Sequence, residues 1–232
     1  MRSVKLNGEI CEVIPYGDHW CRIILPKDSL LQFNVLGRAI HTAKIEGLKN
    51  LIATGSEISI QADDLNPILE KIELIDFDRI INSSKIFRFP VYFSDHPDWN
   101  FVSEHTGLNK TQYVKNLLDR SYHIDMLGFL VGFFYCKQLD KKLKVPRKNI
   151  PSTQVESGSI AVASDYLGIY SLASPGGWNV IGKTPLQLLD FRAYPPTTMS
   201  VNDQLQLEAI NKEQYDKIKS LHLDISAYNA RY

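Results

Sequence analysis

The sequence has no excess of charge of either sign, no long apolar run and few cysteines. Its 26 lysines and arginines balance 26 aspartates and glutamates, whereas a nucleic-acid-binding protein usually shows a basic excess or a basic stripe. The apolar runs fall short of the roughly 18–20 residues that a membrane span needs, and the first residues carry no apolar core of a secretory signal. We therefore expect no nucleic acid and no membrane among the partners.

Cysteine and histidine are too scattered to predict a metal site. The three cysteines, Cys11, Cys21 and Cys136, form no Cys-x-x-Cys pair, and no two of the six histidines lie three or four residues apart. Zinc sites usually draw their ligands from such close pairs. We expect no bound metal, buried free thiols and a reducing, cytoplasmic compartment.

The chain does contain a glycine-rich, aromatic stretch from Gly158 to Pro185. It holds five of the 13 glycines and is rich in isoleucine, valine and tyrosine, a pattern that predicts strands broken by glycine turns. Within it, residues 177–184 (GWNVIGKT) match the P-loop expression. Pro185 follows directly, and a residue before proline is disfavoured in a helix, so we predict a strand here instead of a phosphate-binding loop.

Hydrophobic periodicity predicts an α+β fold with two domains. Residues 1–84 alternate strand, helix, strand, strand and helix, with the helices near 28–46 and 63–77. This order predicts a small α/β two-layer N-terminal domain. A short polar segment places the domain boundary after Ser84.

The second domain is predicted to comprise residues 85–232 and to be rich in strands. Asn109 and Asn211 each precede a helical pattern and are expected to act as N-caps. Residues 203–210 alternate with the period of a half-buried strand.

Several short blocks follow one another in order, and the most specific is the run Ser174–Pro185 (SPGGWNVIGKTP) with Gly168-Ile169-Tyr170 before it. The other blocks are Tyr16-Gly17-Asp18, Thr106-Gly107-Leu108, Met126-Leu127-Gly128-Phe129, Gly132-Phe133, Tyr135, Leu139-Asp140, Pro146-Arg147 and Gly158-Ser159-Ile160. Together they resemble the allophanate hydrolase subunit 1 family, which includes the B subunit of the bacterial ATP-dependent 5-oxoprolinase and the kinase A inhibitor KipI. The likeness is good from about Val91 to Ile210 and weaker before that.

The resemblance implies a small α/β domain followed by a cyclophilin-like β-barrel domain. It also implies a complex with allophanate hydrolase subunit 2, the counterpart of the C subunit of 5-oxoprolinase, and a further partner in the A subunit of 5-oxoprolinase. Such a complex uses ATP to open the 5-oxoproline lactam to glutamate, because phosphorylation of the amide oxygen makes this stable bond a better electrophile. Two alternatives stay open: a regulatory protein that inhibits a sensor histidine kinase without catalysis, and an amide hydrolase of the urea or allophanate type.

Candidate substrate-binding residues are the aromatic and cationic side chains, with one serine, in or near these blocks. They are Tyr122, Phe129, Arg147, Ser159, Tyr166, Tyr170, Trp178 and Lys183, and the catalytic residues are unassigned. The chain departs from the family pattern, which has a histidine near Leu117 or Leu118, prolines at Val131 and Phe134, a glutamine at Tyr166, and arginines at Ser152 and Lys183. These departures leave catalysis by this member open and favour the regulatory alternative.

Overall fold

The computed structural model describes residues 2–27, 29, 33–54, 57–77, 84–137, 139–193 and 195–231. Contacts between Cα atoms divide the chain into two compact units, Met1–Ser84 (the first unit) and Lys85–Tyr232 (the second unit). Each unit combines a sheet with helices, so the chain is mixed α/β, and the independence of the units as domains stays a prediction. No helix within the described ranges is long and apolar enough to cross a membrane.

The sheet of the first unit is antiparallel. Its strands are β1 (Arg2–Leu6), β2 (Glu9–Tyr16), β3 (Trp20–Ile24), β4 (Leu48–Ala53) and β5 (Glu57–Ala62). They pair in the order β1-β2-β3-β5-β4. Alternate residues of β1, β3 and β5 point into the core, because successive side chains of a strand point to opposite faces. This buried face packs against helices.

Two helices of the first unit, α1 (Phe33–Thr42) and α2 (Leu65–Glu73), contribute to this core. The first ends at Thr42, before the predicted end near 46, and the second is shorter than the predicted range 63–77. The second helix begins after Asp64 because that residue is its N-cap, and the Asp64 carboxylate accepts the Asn66 N–H at 3.0 Å. The predicted start of the first helix, near 28–32, lies mostly outside the described residues.

The second unit is built around a larger sheet. Its strands are β6 (Ile86–Val91), β7 (Ser121–Leu127), β8 (Phe134–Lys137), β9 (Ser152–Val155), β10 (Ser159–Ala163), β11 (Tyr166–Ile169), β12 (Ser174–Gly176), β13 (Asn179–Lys183) and β14 (Gln204–Ala209). The main sheet has the order β13-β10-β11-β8-β7-β14-β6, and β9 pairs with β12 in a separate two-stranded ribbon. The segment that matches the P-loop expression forms β13, so the predicted strand is confirmed.

The helices of the second unit are α3 (Asp98–Thr106), α4 (Lys110–Leu118), α5 (Lys212–Ser220) and α6 (Ile225–Arg231). The predicted N-caps are confirmed. Asn109 and Asn211 each accept a hydrogen bond from a glutamine N–H three residues later, and that glutamine side chain bonds back to the cap. These two reciprocal capping boxes satisfy N–H groups that the first helical turn leaves without partners.

The main sheet curls until its two outer strands meet. Tyr92, which follows β6, exchanges two backbone hydrogen bonds of 2.9 Å with Lys183 at the end of β13. Gly182 allows this approach, because a Cβ atom there would lie 2.9 Å from the Tyr92 carbonyl oxygen. The sheet is therefore a curled half-barrel joined at this point, and the cyclophilin-like label stays a prediction.

Both faces of the curled sheet bury side chains. In β10, Ile160 and Val162 belong to the large core that also contains residues of the helices. The intervening Ala161 and Ala163 belong to a second, aromatic cluster. Because alternate residues of a strand point to opposite faces, the two clusters lie on opposite sides of the sheet.

Candidate functional site

A polar cleft of about 610 Å³ lies beside the point where the outer strands of the main sheet meet. The loop after β6, the ribbon strand β9 with the turn into β10, strand β13 and the start of α5 line it. The lining residues are Tyr92, Ser94, Asp95, His96, Ser152, Gln154, Val155, Glu156, Ser159, Val180, Gly182, Lys183 and Lys212. A cleft of this volume and polarity suits a small polar ligand.

Asp98, the first residue of α3, holds one wall of the cleft together. Its Oδ2 atom accepts a hydrogen bond from Lys148 Nζ at 2.8 Å and another from the Val180 N–H at 2.8 Å. The side chains of Asp98 and Lys148 are only 12% and 14% exposed, so solvent screens their ion pair weakly. One carboxylate therefore ties α3 to β13 and to the segment that precedes β9.

Lys148 makes a second contact that reaches the cleft itself. Its Nζ atom donates to Ser152 Oγ at 2.8 Å, and Ser152 is the first residue of β9. An ammonium group can only donate hydrogen bonds, so this contact occupies a lone pair of the hydroxyl and leaves the hydroxyl hydrogen able to donate. Ser152 thus presents a donor that a charge-assisted bond holds in place.

His96 lies in the same wall, two residues before Asp98. The Asp98 N–H donates to His96 Nδ1 at 3.2 Å, and a ring nitrogen that accepts this bond carries no proton. Burial is the largest cause that lowers the pKa of His96, and it outweighs the opposing effect of the Asp98 carboxylate. The ring is therefore neutral at physiological pH with its proton on Nε2, and it offers a further donor.

Two lysines at the mouth of the cleft flank the ring of Tyr215. The Nζ atoms of Lys183 and Lys212 lie 5.4 and 5.6 Å from the ring centroid, within the range of a cation–π interaction. Glu156 Oε2 lies 3.8 Å from Lys183 Nζ, and Asp216 pairs with Lys212. Because Glu156 is 76% exposed, it holds Lys183 weakly, and the charge of Lys183 remains able to act on a ligand.

Most of the predicted site residues lie instead in an aromatic layer, which belongs to the smaller core cluster. The layer consists of Phe129, Phe133, Tyr135, Tyr166, Tyr170 and Trp178. Phe133 meets Tyr170 and Trp178 edge-on, with ring centroids 4.9 and 5.8 Å apart. A Cβ atom at Gly168 would lie 2.5 Å from the Trp178 ring, so the layer is closely packed against the sheet.

Burial shows that this aromatic layer is mainly a second core. Tyr170 and Trp178 are 1% and 6% exposed, and burial raises the pKa of the Tyr170 hydroxyl to about 12. Arg147 covers the layer, with its guanidinium carbon 5.9 Å from the Trp178 ring centroid. At the margins, Phe129 is 61% exposed, and Tyr166 Oη donates to Asp125 Oδ2 at 3.4 Å.

The eight predicted residues therefore divide among three places. Ser159 and Lys183 line the cleft, and five others, Phe129, Arg147, Tyr166, Tyr170 and Trp178, form or cover the aromatic layer. The structure does not bring Tyr122 to either place. It is fully buried in the large core, and its hydroxyl donates to the Leu117 carbonyl at 2.8 Å.

Sequence reasoning missed four residues that build the wall and mouth of the cleft: His96, Lys148, Ser152 and Lys212. Asp98, which positions two of them, was also missed. Two sequence signals could have revealed some of these residues: a carboxylate-rich turn at 94–98, which contains His96 and Asp98, and a basic segment at 137–148, which contains Lys148. Both kinds of segment are more often solvated loops. Within the described residues, no three His, Cys, Asp or Glu side chains are grouped so that they could hold a metal ion.

Comparison with known proteins places the chain in a family. It belongs to the family described as carboxyltransferase domain, subdomain C and D, whose model matches residues 28–199. It is similar to the 5-oxoprolinase B subunit of Bacillus subtilis (strain 168), with 31% identity over 137 residues that cover 58% of this chain and 57% of that protein. The chain thus matches little more than half the length of this curated relative, and the resemblance to the allophanate hydrolase subunit 1 family is confirmed.

Solved structures share the fold. A conserved uncharacterized protein from Pyrococcus horikoshii is 26% identical, with 88% of this chain and 100% of that chain covered and a TM-score of 0.54. Urea carboxylase from Kluyveromyces lactis is 16% identical, with 97% of this chain and 24% of that chain covered and a TM-score of 0.62. The second likeness concerns the fold alone.

Proposed function

We propose that this chain is the B component of an ATP-dependent hydrolase of the 5-oxoprolinase type in the cytoplasm. It acts with the C and A components of that enzyme, and the complex opens the lactam of 5-oxoproline to glutamate. The observation that carries the proposal is the set of hydrogen-bond donors in the cleft, from His96, Ser152 and Lys183. This set of donors lies in a chain whose curated relatives are named as B subunits of 5-oxoprolinase.

The chemistry of lactam opening needs such donors. An amide resists attack by water. Transfer of the terminal phosphoryl group of ATP to the amide oxygen releases ADP and makes the carbonyl carbon a better electrophile; water then adds to that carbon, the C–N bond breaks and phosphate leaves. Negative charge builds up on oxygen atoms during the phosphoryl transfer and during the attack by water. Fixed donors in a partly enclosed cleft stabilise that charge. Ser152 is the best placed, because Lys148 holds its oxygen and the Asp98 carboxylate holds Lys148.

Reconstitution of the complex tests this function. The chain is co-expressed with the A and C components from the same genome, and ADP release is measured with and without 5-oxoproline. We expect ADP and glutamate only when all three components are present, and a lower kcat for Ser152→Ala. Lys219→Ala is the matched control, because Lys219 lies 5.6 Å from the Tyr215 ring but does not line the cleft. A stable complex that shows no 5-oxoproline-dependent turnover contradicts the proposal.

One observation favours the regulatory alternative, a protein that binds a sensor histidine kinase. The turn between β7 and β8 exposes two apolar side chains, with Phe129 61% and Val131 50% exposed, and such a patch suits a protein partner. Under this alternative, Phe129→Asp with Val131→Asp relieves inhibition of kinase autophosphorylation, while Ser152→Ala leaves inhibition unchanged. Equal inhibition by the wild-type chain and the double variant excludes this turn as the docking surface.

A further inference from the structure

The donors of the cleft come from separate segments of the second unit. Ser152 lies on β9, Lys183 at the end of β13, and Lys212 at the start of α5, and all three line the same space. A planar carboxylate is matched best by two parallel donors, such as those of an arginine fork. A phosphoryl group has three outer oxygens, so donors that arrive from several elements suit it better.

The wall behind Ser152 is built to hold that hydroxyl in one orientation. Lys148 donates both to Ser152 Oγ and to Asp98 Oδ2, each at 2.8 Å. Asp98 is fixed in turn by the Val180 N–H of β13. A half-buried serine without such a partner can change its rotamer. The network also requires burial of an ion pair, which a purely structural wall does not need.

The carboxylates that pair with the two lysines at the mouth are largely exposed, so an anion can displace them. Lys183 and Lys212 face acidic neighbours Glu156 and Asp216, and Asp95 at the edge of the cleft is paired with Lys110. Glu156 is 76% exposed, so it can turn into solvent when an anion approaches Lys183. Neutral His96 adds a donor without adding charge.

We propose that the cleft is a binding site for a phosphoryl group, with Ser152 and Lys183 as its direct contacts and with Asp98 and Lys148 as positioning residues. This inference rests on the proposed function for its biological role, since phosphorylation of a lactam oxygen would place such a group here. Binding of the phosphoryl group needs only residues of this chain, so it can be measured without the partner subunits. Inorganic phosphate and the terminal phosphate of ATP share the chemistry that the site recognises.

Titration of the purified chain with inorganic phosphate tests the site. Binding is measured by calorimetry and by thermal stabilisation, with sodium chloride at matched ionic strength as the reference and acetate as the carboxylate probe. We expect saturable binding of phosphate, weaker binding of acetate, and roughly tenfold weaker phosphate binding in Ser152→Ala or Lys183→Ala, the usual effect of losing a hydrogen bond to a charged group. Ser152→Thr keeps the hydroxyl and should retain affinity.

Lys219→Ala serves as the matched control and should bind phosphate like the wild type. Lys148→Met tests the positioning role: it should weaken phosphate binding in parallel with Ser152→Ala, and the two changes combined should cost no more than either alone. Stabilisation by phosphate that equals that by chloride, or unchanged affinity in Ser152→Ala and Lys183→Ala, overturns the proposal.

Two further experiments identify the source of the phosphoryl group and distinguish this inference from the proposed function. Competition between ATP and phosphate assigns the site to the nucleotide, and phosphate binding that ATP does not displace assigns it to a phosphorylated substrate. Both outcomes support a phosphoryl site. Phosphate binding in a chain whose reconstituted complex does not turn over 5-oxoproline contradicts the proposed function and leaves this inference standing.

Discussion

Replacement of Asp98 by asparagine tests the ion pair that shapes the cleft. The change Asp98→Asn keeps the size of the side chain and an oxygen that can accept the Val180 N–H. It removes the negative charge and leaves the ammonium group of Lys148, 14% exposed, without its counterion. The experiment therefore isolates the charge of Asp98 from its shape.

The magnitude follows from the burial of the pair. Removal of one partner of a fully buried ion pair costs ~3–5 kcal/mol. Because Asp98 and Lys148 keep a small exposed fraction, and because Lys148 retains its bond to Ser152, we expect Asp98→Asn to lower the free energy of unfolding by about 2–3 kcal/mol. For a unit of this size the loss corresponds to a fall in Tm of roughly 4–12 °C.

Urea unfolding in a Trp20→Phe background measures this loss in the second unit alone. The chain has three tryptophans, and after that change fluorescence reports only on Trp99 and Trp178 of the second unit. Lys148→Met and the double variant complete a double-mutant cycle. The double variant should be more stable than Asp98→Asn, because it no longer contains an unpaired buried charge.

Asp95→Asn is the control for the loss of a carboxylate. Asp95 is fully exposed in its pair with Lys110, and exposed pairs contribute little, so no measurable change in stability is expected. If Asp98→Asn is as stable as the wild type, or if the cycle shows no coupling between Asp98 and Lys148, the network does not hold the wall of the cleft in the way we describe.

Three further predictions concern the rest of the chain. Gly168→Ala should destabilise the second unit by about 1–3 kcal/mol in urea, because its Cβ would lie 2.5 Å from the Trp178 ring, whereas Gly177→Ala, with its nearest neighbour at 3.8 Å, should cost far less; equal losses contradict the close packing. Because burial lowers the pKa of His96, its neutral form stabilises the fold above its ordinary pKa of about 6.5, and that stability declines as the pH falls through the lowered pKa. His96→Asn should flatten this part of the pH profile of unfolding, and an unchanged profile would show that another group titrates. Burial also raises the pKa of the Cys136 thiol, so a thiol reagent should modify it only under denaturing conditions, and modification of the native chain contradicts its burial.

The features that the sequence predicted well are those with local causes. Asn109 and Asn211 were recognisable as N-caps because a cap and its glutamine partner lie three residues apart. The strand at 179–183 was recognisable because a following proline prevents the helix that a P-loop needs. Both signals lie within a few residues of the structure that they determine, so no knowledge of the fold was needed.

The cleft depends on contacts between distant parts of the chain. Asp98 meets Lys148 and Val180 across 50 and 82 residues, and the pairing of strands in the curled sheet decides which segments become neighbours. Composition made the aromatic stretch look like the site, because glycine beside aromatic residues is a signal of close packing and of ligand binding alike. The position of Trp178 over Gly168 shows that close packing is the cause here.

The departures from the family pattern acquire a physical meaning in this cleft. Two of them, Ser152 and Lys183, are expected from the resemblance to replace arginines of the family pattern, and both line the cleft. An arginine reaches far and presents a planar fork, whereas a hydroxyl and an ammonium group act as compact donors without a preferred plane. The exchange therefore alters the geometry of anion recognition and keeps the donors, and Lys148 supplies behind Ser152 the positive charge that an arginine would have brought. A cleft of this kind should select a ligand by its charge and number of oxygens more than by its planarity, so Ser152→Arg should favour acetate over phosphate in the binding assay, and an unchanged preference would show that this position does not set the selectivity.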